Sequence, residues 1–253
     1  MYNNTVVFYT KKHFVWYNGI SINGEELKSM TASEKTIASI LKDLTNVHEN
    51  LLSLSDDIWN SIDHNNPAKL EEGYQFKKEF NRLLEDFEKN KNDISVLVSQ
   101  FTGVKLDEQP KEVKKDDSEN QRIIKELNKN EPHEVTEDFT FKRPTAFIFN
   151  GCAYTDLNNW TEFYTQFAAC AAKLNPSKIK EMAELPELIS KQNRKYYSTD
   201  KKDLRKSAKI MNDFFVETNL CANDIAKRII EILNHLGMKT SDITIYLRQD
   251  RNA

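Results

Sequence analysis

The stretch TASEKTIASILKDLTNVHENLLSLSDDIWNSI, residues 31–62, decides the architecture of the first half of the chain. Its apolar residues recur every seven positions in one row, with a second row three positions later: Ile37, Leu44, Leu51 and Ile58, then Ile40, Val47 and Leu54. An apolar repeat of seven kept over about three heptads predicts a helix with a coiled-coil-like seam. Thr31-Ala-Ser-Glu34 fits a capping box, so we expect the helix to begin there.

A second segment with the same period follows a short turn. Asp63-His-Asn-Asn-Pro67 ends the first helix, because Pro67 cannot continue a helix but suits the first turn of a new one. The second segment ends at Gly103, a typical C-cap, and carries its own two rows: Phe80, Phe87, Ile94 and Phe101, with Phe76, Leu83 and Leu97. Two helices of similar length joined by a short turn predict an antiparallel hairpin.

This hairpin has more apolar surface than two helices bury against each other. Tyr74, Leu84 and Trp59 lie off the narrow seam. One interpretation is that residues 1–30 cover the surplus. TVVFY, HFVWY and ISI are separated or followed by Asn-Gly pairs, which favours a small β-meander. The other is self-association into a four-helix arrangement through the seam residues Ile37, Leu44, Leu51, Ile58, Phe80, Phe87, Ile94 and Phe101.

The remaining sequence predicts a linker and a second domain. Residues 104–143 are dominated by Lys, Glu, Asp and Asn, which favours a charged linker with one marginal helix over 118–128. Residues 144–253 then contain an Asn150-Gly151 hairpin, a helix over 159–174 and a second helix that begins at Pro176. The strand Phe214-Phe215-Val216 follows, then a helix from Asn219 to Gly237 and a final strand. The predicted order, β-β-α-α-β-α-β, favours a small mixed sheet with helices on one face. The predicted fold class is α+β, with units at 1–103, 104–143 and 144–253.

Composition sets limits on function. Residues 1–143 hold 20 Lys+Arg and 26 Asp+Glu, whereas residues 144–253 hold 16 and 13, so the net charge changes from −6 to +3. The first residues lack a signal-peptide pattern, and no apolar run is long enough to span a bilayer. Three distant cysteines fit neither a disulfide framework nor a zinc site. We therefore expect a cytoplasmic protein with no membrane contact, no metal and no small-molecule cofactor.

The strongest functional signal is the basic segment Lys191–Lys209. Cations neutralise phosphates and aromatic rings stack on unpaired bases, so this composition favours nucleic-acid contact. Two other interpretations stay open: a solvated loop whose tyrosines enter the core, and contact with an acidic protein. The candidate nucleic-acid-binding residues are Lys191, Arg194, Lys195, Tyr196, Tyr197, Lys201, Lys202, Arg205, Lys206 and Lys209.

Signals for catalysis are weaker. Asp213 and Glu217 flank the predicted strand Phe214-Phe215-Val216 and would share one face, which raises a metal-dependent nuclease as a hypothesis. Asp224 better suits the first turn of the following helix. Cys221 would be reactive at a helix N-terminus only if exposed, and we expect it to be packed. The five histidines are scattered, and the six glycines form no phosphate loop.

Part of the C-terminal half resembles a known module. Phe149-Asn-Gly-Cys-Ala-Tyr154, the run Phe215-Val-Glu-Thr-Asn-Leu-Cys-Ala-Asn-Asp-Ile225 and Ser241–Arg248 are similar to a small α+β module. That module is appended to bacterial restriction, phage-defence and mobile-element proteins, and the likeness covers about residues 142–249. The resemblance implies a DNA-centred or anti-phage setting and transfers no catalytic residue. The expectation is a non-enzymatic accessory or regulatory protein, self-associating through its hairpin and contacting DNA. The alternatives are a protein-only adaptor or inhibitor, and the nuclease.

Overall fold

The computed structural model describes residues 32–103, 116–190 and 193–248. The predicted β-meander over 1–30 lies outside these residues. Within them the protein is α+β, as expected: a hairpin of two long helices precedes a domain of four helices and two three-stranded sheets. None of the described helices is both long and apolar enough to cross a membrane.

The hairpin consists of α1 (Ala32–Asn60) and α2 (Pro67–Thr102). The Asn66 side chain caps α2 by accepting hydrogen bonds from the backbone N–H groups of Ala68 and Lys69. Gly103 closes the helix with φ +74°, a conformation that favours glycine. The predicted turn at Pro67 and the predicted stop at Gly103 are both confirmed.

The two helices run antiparallel. Near the turn, Lys77 Nζ lies 2.7 Å from Asp56 Oδ1, and farther along, the His48 ring stacks on the Phe87 ring. A Cβ at Gly73 would overlap the end of the Ile62 side chain, which lies in the turn between the helices. The missing side chain at position 73 therefore leaves room for Ile62 against α2.

Residues 116–143, predicted as part of a charged linker, pack against the elements that follow them. Helix α3 (Asp117–Leu127) docks on strand β2 (Cys152–Tyr154), where the Asn120 side chain donates to Gly151 O at 2.8 Å and accepts from Ala153 N at 2.9 Å. Val135 and Phe139 are fully buried in the core. Two apolar side chains anchor a segment whose average composition is that of a linker, since burial of each contributes about 1.5–3 kcal/mol.

The first sheet has the order β2-β1-β6, with β1 spanning Pro144–Phe149 and β6 spanning Ile243–Leu247, all antiparallel. Asn150 and Gly151 connect β1 to β2 with φ of 49° and 72°, which confirms the hairpin predicted from this pair. On the other edge, His133 exchanges two backbone hydrogen bonds with Ile245. Residues 116–143 thus cover both outer edges of this sheet.

The second sheet has the order β3-β5-β4, formed by Tyr197–Ser198, Phe214–Glu217 and Ser207–Met211 respectively. The prediction of a single mixed sheet is therefore wrong. Strand β5 pairs on both sides with strands from the basic segment, in antiparallel register, and not with the 144–154 hairpin. Two short strands that no sequence pattern indicated supply these partners.

Three helices complete the domain: α4 (Trp160–Leu174), α5 (Pro176–Glu181) and α6 (Ala222–Leu236). Helix α4 packs against β1, β4 and α6, so it lies at the centre of the core. Its buried face carries the aromatic residues Trp160, Phe163, Tyr164 and Phe167. Gly237 ends α6 with φ +77°, as predicted.

Candidate interaction surfaces

The two tyrosines of the basic segment face inward. Tyr197 is 2% exposed, and its hydroxyl lies 3.0 Å from Glu231 Oε2 and 3.2 Å from Arg228 O. Burial raises the pKa of Tyr197, so the hydroxyl stays protonated. The half-buried Tyr196 ring is covered by the Arg228 guanidinium, whose Cζ lies 4.0 Å from the ring centroid. The Tyr197 ring is thus buried, and one face of the Tyr196 ring is covered by Arg228.

Several cations of the segment are also occupied. Arg194 Nη2 donates to Asn219 O at 3.0 Å, and Lys195 Nζ lies 2.7 Å from Asp203 Oδ2. Lys206 Nζ reaches across to the hairpin, 2.8 Å from Glu88 Oε1. Lys191 lies outside the described residues. Arg194 and Lys206 thus contact other parts of the fold, whereas Lys195 pairs within the segment.

Four cations remain available. They are exposed and make no ion pair with any residue in the described ranges: Lys201, Lys202, Arg205 and Lys209. The first two lie in a 3-10 turn whose start is capped by the Asp200 side chain, which accepts from Lys202 N. The turn and strand β4 therefore carry a smaller cationic surface than the ten candidates suggested; it comprises these four residues.

The two carboxylates of the nuclease hypothesis do not converge. Asp213 is exposed in the β4–β5 turn with φ +57°, whereas Glu217 is 1% exposed. Glu217 accepts hydrogen bonds from the backbone N–H groups of Arg205 at 2.8 Å, Lys206 at 3.1 Å and Asn219 at 2.8 Å. Three backbone N–H groups are held by this carboxylate, so Glu217 has a structural role.

The segment 217–223, on which the resemblance mainly depends, also has a structural role. Thr218 Oγ1 donates to Lys206 O at 2.9 Å. Asn223 accepts from Phe139 N at 2.8 Å and donates to Asp138 Oδ1 at 2.7 Å. The polar residues of this segment hold two loops, 138–140 and 205–206, against the N-terminal end of α6.

Cys221 is packed, as expected. Its sulfur lies 3.8 Å from Asp56 Oδ2, and these groups with the Asp224 carboxylate fall within 4.8 Å of one another. Burial raises the pKa of Cys221 to about 12, so the thiol is protonated at neutral pH. Asp56 is already paired with Lys77 on α2. The cluster is a contact between α1 and the start of α6.

The main contact between the hairpin and the C-terminal domain was not predicted. Glu49 of α1 is buried, and its carboxylate accepts hydrogen bonds from Trp160 N at 2.9 Å, Thr161 N at 2.8 Å and Thr161 Oγ1 at 2.7 Å. Asn159 caps the next N–H group of α4, that of Glu162. Burial raises the pKa of Glu49, although these hydrogen bonds oppose the rise. A side chain more than 100 residues away thus completes the cap of the central helix.

A second contact centres on Glu88 of α2. It lies against the buried ammonium of Lys91, 2.8 Å from Lys206 Nζ and 3.6 Å from His48 Nε2. Burial acts to raise the pKa of Glu88, but Lys206 and Lys91 hold it at about 2. Burial lowers the pKa of His48 to about 4, so the ring is neutral at physiological pH.

The opposite side of the hairpin is apolar and open. Its large side chains are between 37% and 92% exposed: Ile40, Val47 and Leu54 on α1, and Leu83, Ile94, Leu97 and Phe101 on α2. Between these two rows, Leu44, Leu51, Phe80 and Phe87 are half-buried and form the floor. Most of the exposed residues occupy equivalent heptad positions on two antiparallel helices, so the rows lie on the same side of the hairpin. We call this surface the apolar face.

The predicted oligomer interface therefore divides in two. Ile37, Leu44, Leu51, Ile58, Phe80 and Phe87 are half-buried between the helices, whereas Ile94 and Phe101 are exposed on the apolar face.

Among known proteins, no family model, no curated protein and no solved structure matches this chain.

Proposed function

We propose that the protein is a non-enzymatic interaction protein that binds another protein through the apolar face of its helical hairpin. The observation that carries the proposal is the exposure of seven large apolar side chains in two aligned rows. Contiguous exposed apolar surface on a folded protein marks a binding site, because leaving it in water costs free energy. The resemblance of the C-terminal half supports a bacterial defence or mobile-element setting, in which the protein is an accessory or regulatory component.

The hairpin has the properties of a docking platform. Its other side contacts the C-terminal domain through Glu49 and Glu88, so the apolar face points away from that domain. A pre-organised surface loses less conformational entropy on binding than a flexible one. The domain around α4 then acts as the support.

The test compares two double variants in a bacterial host. Leu83→Asp with Leu97→Asp places charges on the apolar face, whereas Tyr74→Asp with Val96→Asp changes exposed apolar residues of α2 outside the two rows. We expect the first variant to lose a co-purifying protein, or to show a lower molar mass than the wild type in light scattering. The control should match the wild type in both measurements. Identical co-purifying proteins and an identical monomer mass for all three proteins would refute the proposal.

A second candidate function is contact with nucleic acid through Lys201, Lys202, Arg205 and Lys209. The observation that favours it is that these cations are exposed and unpaired within the described ranges. Removal of one cation that touches a phosphate should lower the slope of log affinity against log salt by about 0.9. Reversal of all four charges should therefore flatten the salt dependence of binding to a labelled duplex or single strand. Reversal of Lys125, Lys129, Lys173 and Lys180 is the control, and no binding at low salt by the wild type refutes this function.

A further inference from the structure

Carboxylates border the apolar face on both sides. On α1, Asp43 and Asp57 each follow a member of the exposed row by three positions. On α2, Glu79, Asp86 and Asp93 recur every seven residues, and Asp86 follows Leu83 by three positions. All five are exposed. A step of three positions along a helix rotates the side chain away from the partner helix. The carboxylates therefore form the two outer borders of the face.

Two arginines offset part of the negative charge of these borders. Arg82 pairs with Glu79 and Asp86 on its own helix, at 2.7 Å and 2.8 Å, and Arg143 lies 3.9 Å from Asp43. Asp57 and Asp93 have no ion pair within the described ranges. Residues 32–103 together hold 8 Lys+Arg and 13 Asp+Glu, a net charge of −5. The surface is an open apolar strip with negatively charged rims.

This charge pattern disfavours a second copy of the chain as the occupant. Two hairpins stacked face to face by a two-fold axis place α1 either on α2 or on α1 of the other copy. In both arrangements an acidic border meets an acidic border. Like charges brought together across an interface cost binding free energy and select against that partner.

We infer that the apolar face binds an amphipathic helix of a partner protein, whose apolar stripe is flanked by lysine and arginine. This inference rests on the proposed function and names the partner's chemistry. The exposed rows extend from Ile40 to Leu54 and from Leu83 to Phe101, about 21 Å and about 27 Å along a helix. A partner helix of about 18 residues matches this length. It lies on the floor of half-buried side chains, with its cations on the acidic rims, and completes a three-helix arrangement.

The test uses two synthetic helical peptides of about 18 residues with the same leucine positions, one flanked by lysines and one by glutamates. Each is labelled, and binding to the full-length protein is followed by fluorescence anisotropy at low and high salt. We expect the lysine peptide to bind, its affinity to fall with salt, and the glutamate peptide to bind at least about tenfold more weakly.

Matched charge variants locate the binding site. Asp57→Lys with Asp93→Lys should weaken binding of the lysine peptide at least about tenfold. Glu71→Lys with Glu85→Lys changes the net charge equally on exposed acids away from the face, and should weaken it far less. Circular dichroism verifies that each variant keeps its helix content. Equal effects of the two charge variants, or equal affinity for the two peptides, would overturn the inference.

Failure of the inference can be separated from failure of the proposed function. If neither peptide binds and the wild type is a dimer that Leu83→Asp with Leu97→Asp dissociates, the occupant is a second copy. The proposed function then stands and the inference falls. If neither peptide binds and the face variant changes neither mass nor co-purifying proteins, both fall.

Discussion

Glu49 Oε1 accepts two hydrogen bonds from Thr161, from its backbone N–H at 2.8 Å and from its hydroxyl at 2.7 Å. Glu49 belongs to the hairpin and Thr161 to the first turn of the central helix α4. The contact therefore couples the position of the hairpin to the helix on which the core is built.

Removal of this carboxylate should destabilise the protein. In Glu49→Ala the N–H groups of Trp160 and Thr161 lose their partner while remaining buried, which costs roughly 2–4 kcal/mol. Urea denaturation followed by circular dichroism measures the change. Asp57→Ala, an exposed acid on the same helix, is the control and should change stability by less than about 0.5 kcal/mol. A loss of stability in Glu49→Ala no larger than that of the control would contradict the assigned role.

The same residue predicts a pH dependence. Burial raises the pKa of Glu49 above its ordinary value of 4.5, against the opposing effect of its hydrogen bonds and of Lys206. The folded state then binds more protons than the unfolded state, so stability decreases as pH rises from about 4.5 through the folded pKa. Glu49→Gln carries no titrating group and should lack this decrease. Parallel slopes of stability against pH for both proteins in this window would be the contrary result.

His48 should have the opposite effect. Burial lowers its pKa from 6.5 to about 4, with Lys91 and Lys206 adding to the fall and Glu88 opposing it. Because the unfolded ring takes up a proton first, stability is lost as pH falls from about 6.5 to about 4, by on the order of 3 kcal/mol. His48→Gln should flatten the curve over this range. His64→Gln, at an exposed histidine, is the matched control and should keep the loss of stability caused by His48.

Glu217 and Asp213 should respond differently to loss of charge. Glu217→Gln replaces an oxygen that accepts backbone hydrogen bonds by an amide that donates, and should cost about 2–4 kcal/mol. Asp213→Asn keeps a residue type that tolerates φ +57° and should be nearly neutral. Thermal denaturation of the two variants measures the difference. Equal stabilities would show that Glu217 does not organise the 205–206 loop.

Asn120 should hold α3 on the first sheet. Asn120→Ala removes both hydrogen bonds to the edge of β2, at a cost of about 1–2 kcal/mol. The amide of Ala153 should then exchange with deuterium faster, because its acceptor is gone. Ser118→Ala, at an exposed residue of the same helix, is the control. An unchanged exchange rate at Ala153 would mean that α3 is held by other contacts.

Local signals in the sequence predicted most elements. The seven-residue rows, the Pro67 turn and Gly103 indicated the hairpin, and Asn150-Gly151 indicated the β1–β2 connection. Asn159 and Gly237 marked helix ends correctly. Each of these features depends on residues within a few positions of one another, where periodicity and backbone preference act directly.

Long-range features were missed for a physical reason. Tyr196 and Tyr197 suggested a nucleic-acid surface, but whether a tyrosine faces inward depends on partners such as Arg228 and Glu231, more than 30 residues away. The capping of α4 by Glu49 joins residues more than 100 positions apart. The sequence has no local pattern for such pairs. A carboxylate on the polar side of an amphipathic helix has the same appearance whether it meets water or a helix N-terminus.

The Asn120 side chain and the His133 backbone act as substitutes for two additional strands, one on each side of the β2-β1-β6 sheet. A fragment beginning at residue 144 would keep all its strands and lose both substitutes, together with Val135 and Phe139 from its core. Unpaired strand edges recruit further strands from neighbouring molecules. We expect such a fragment to aggregate, whereas one beginning at residue 116 keeps both sheet edges protected. The segment 116–143 would thus protect both edges of the sheet from pairing with other molecules.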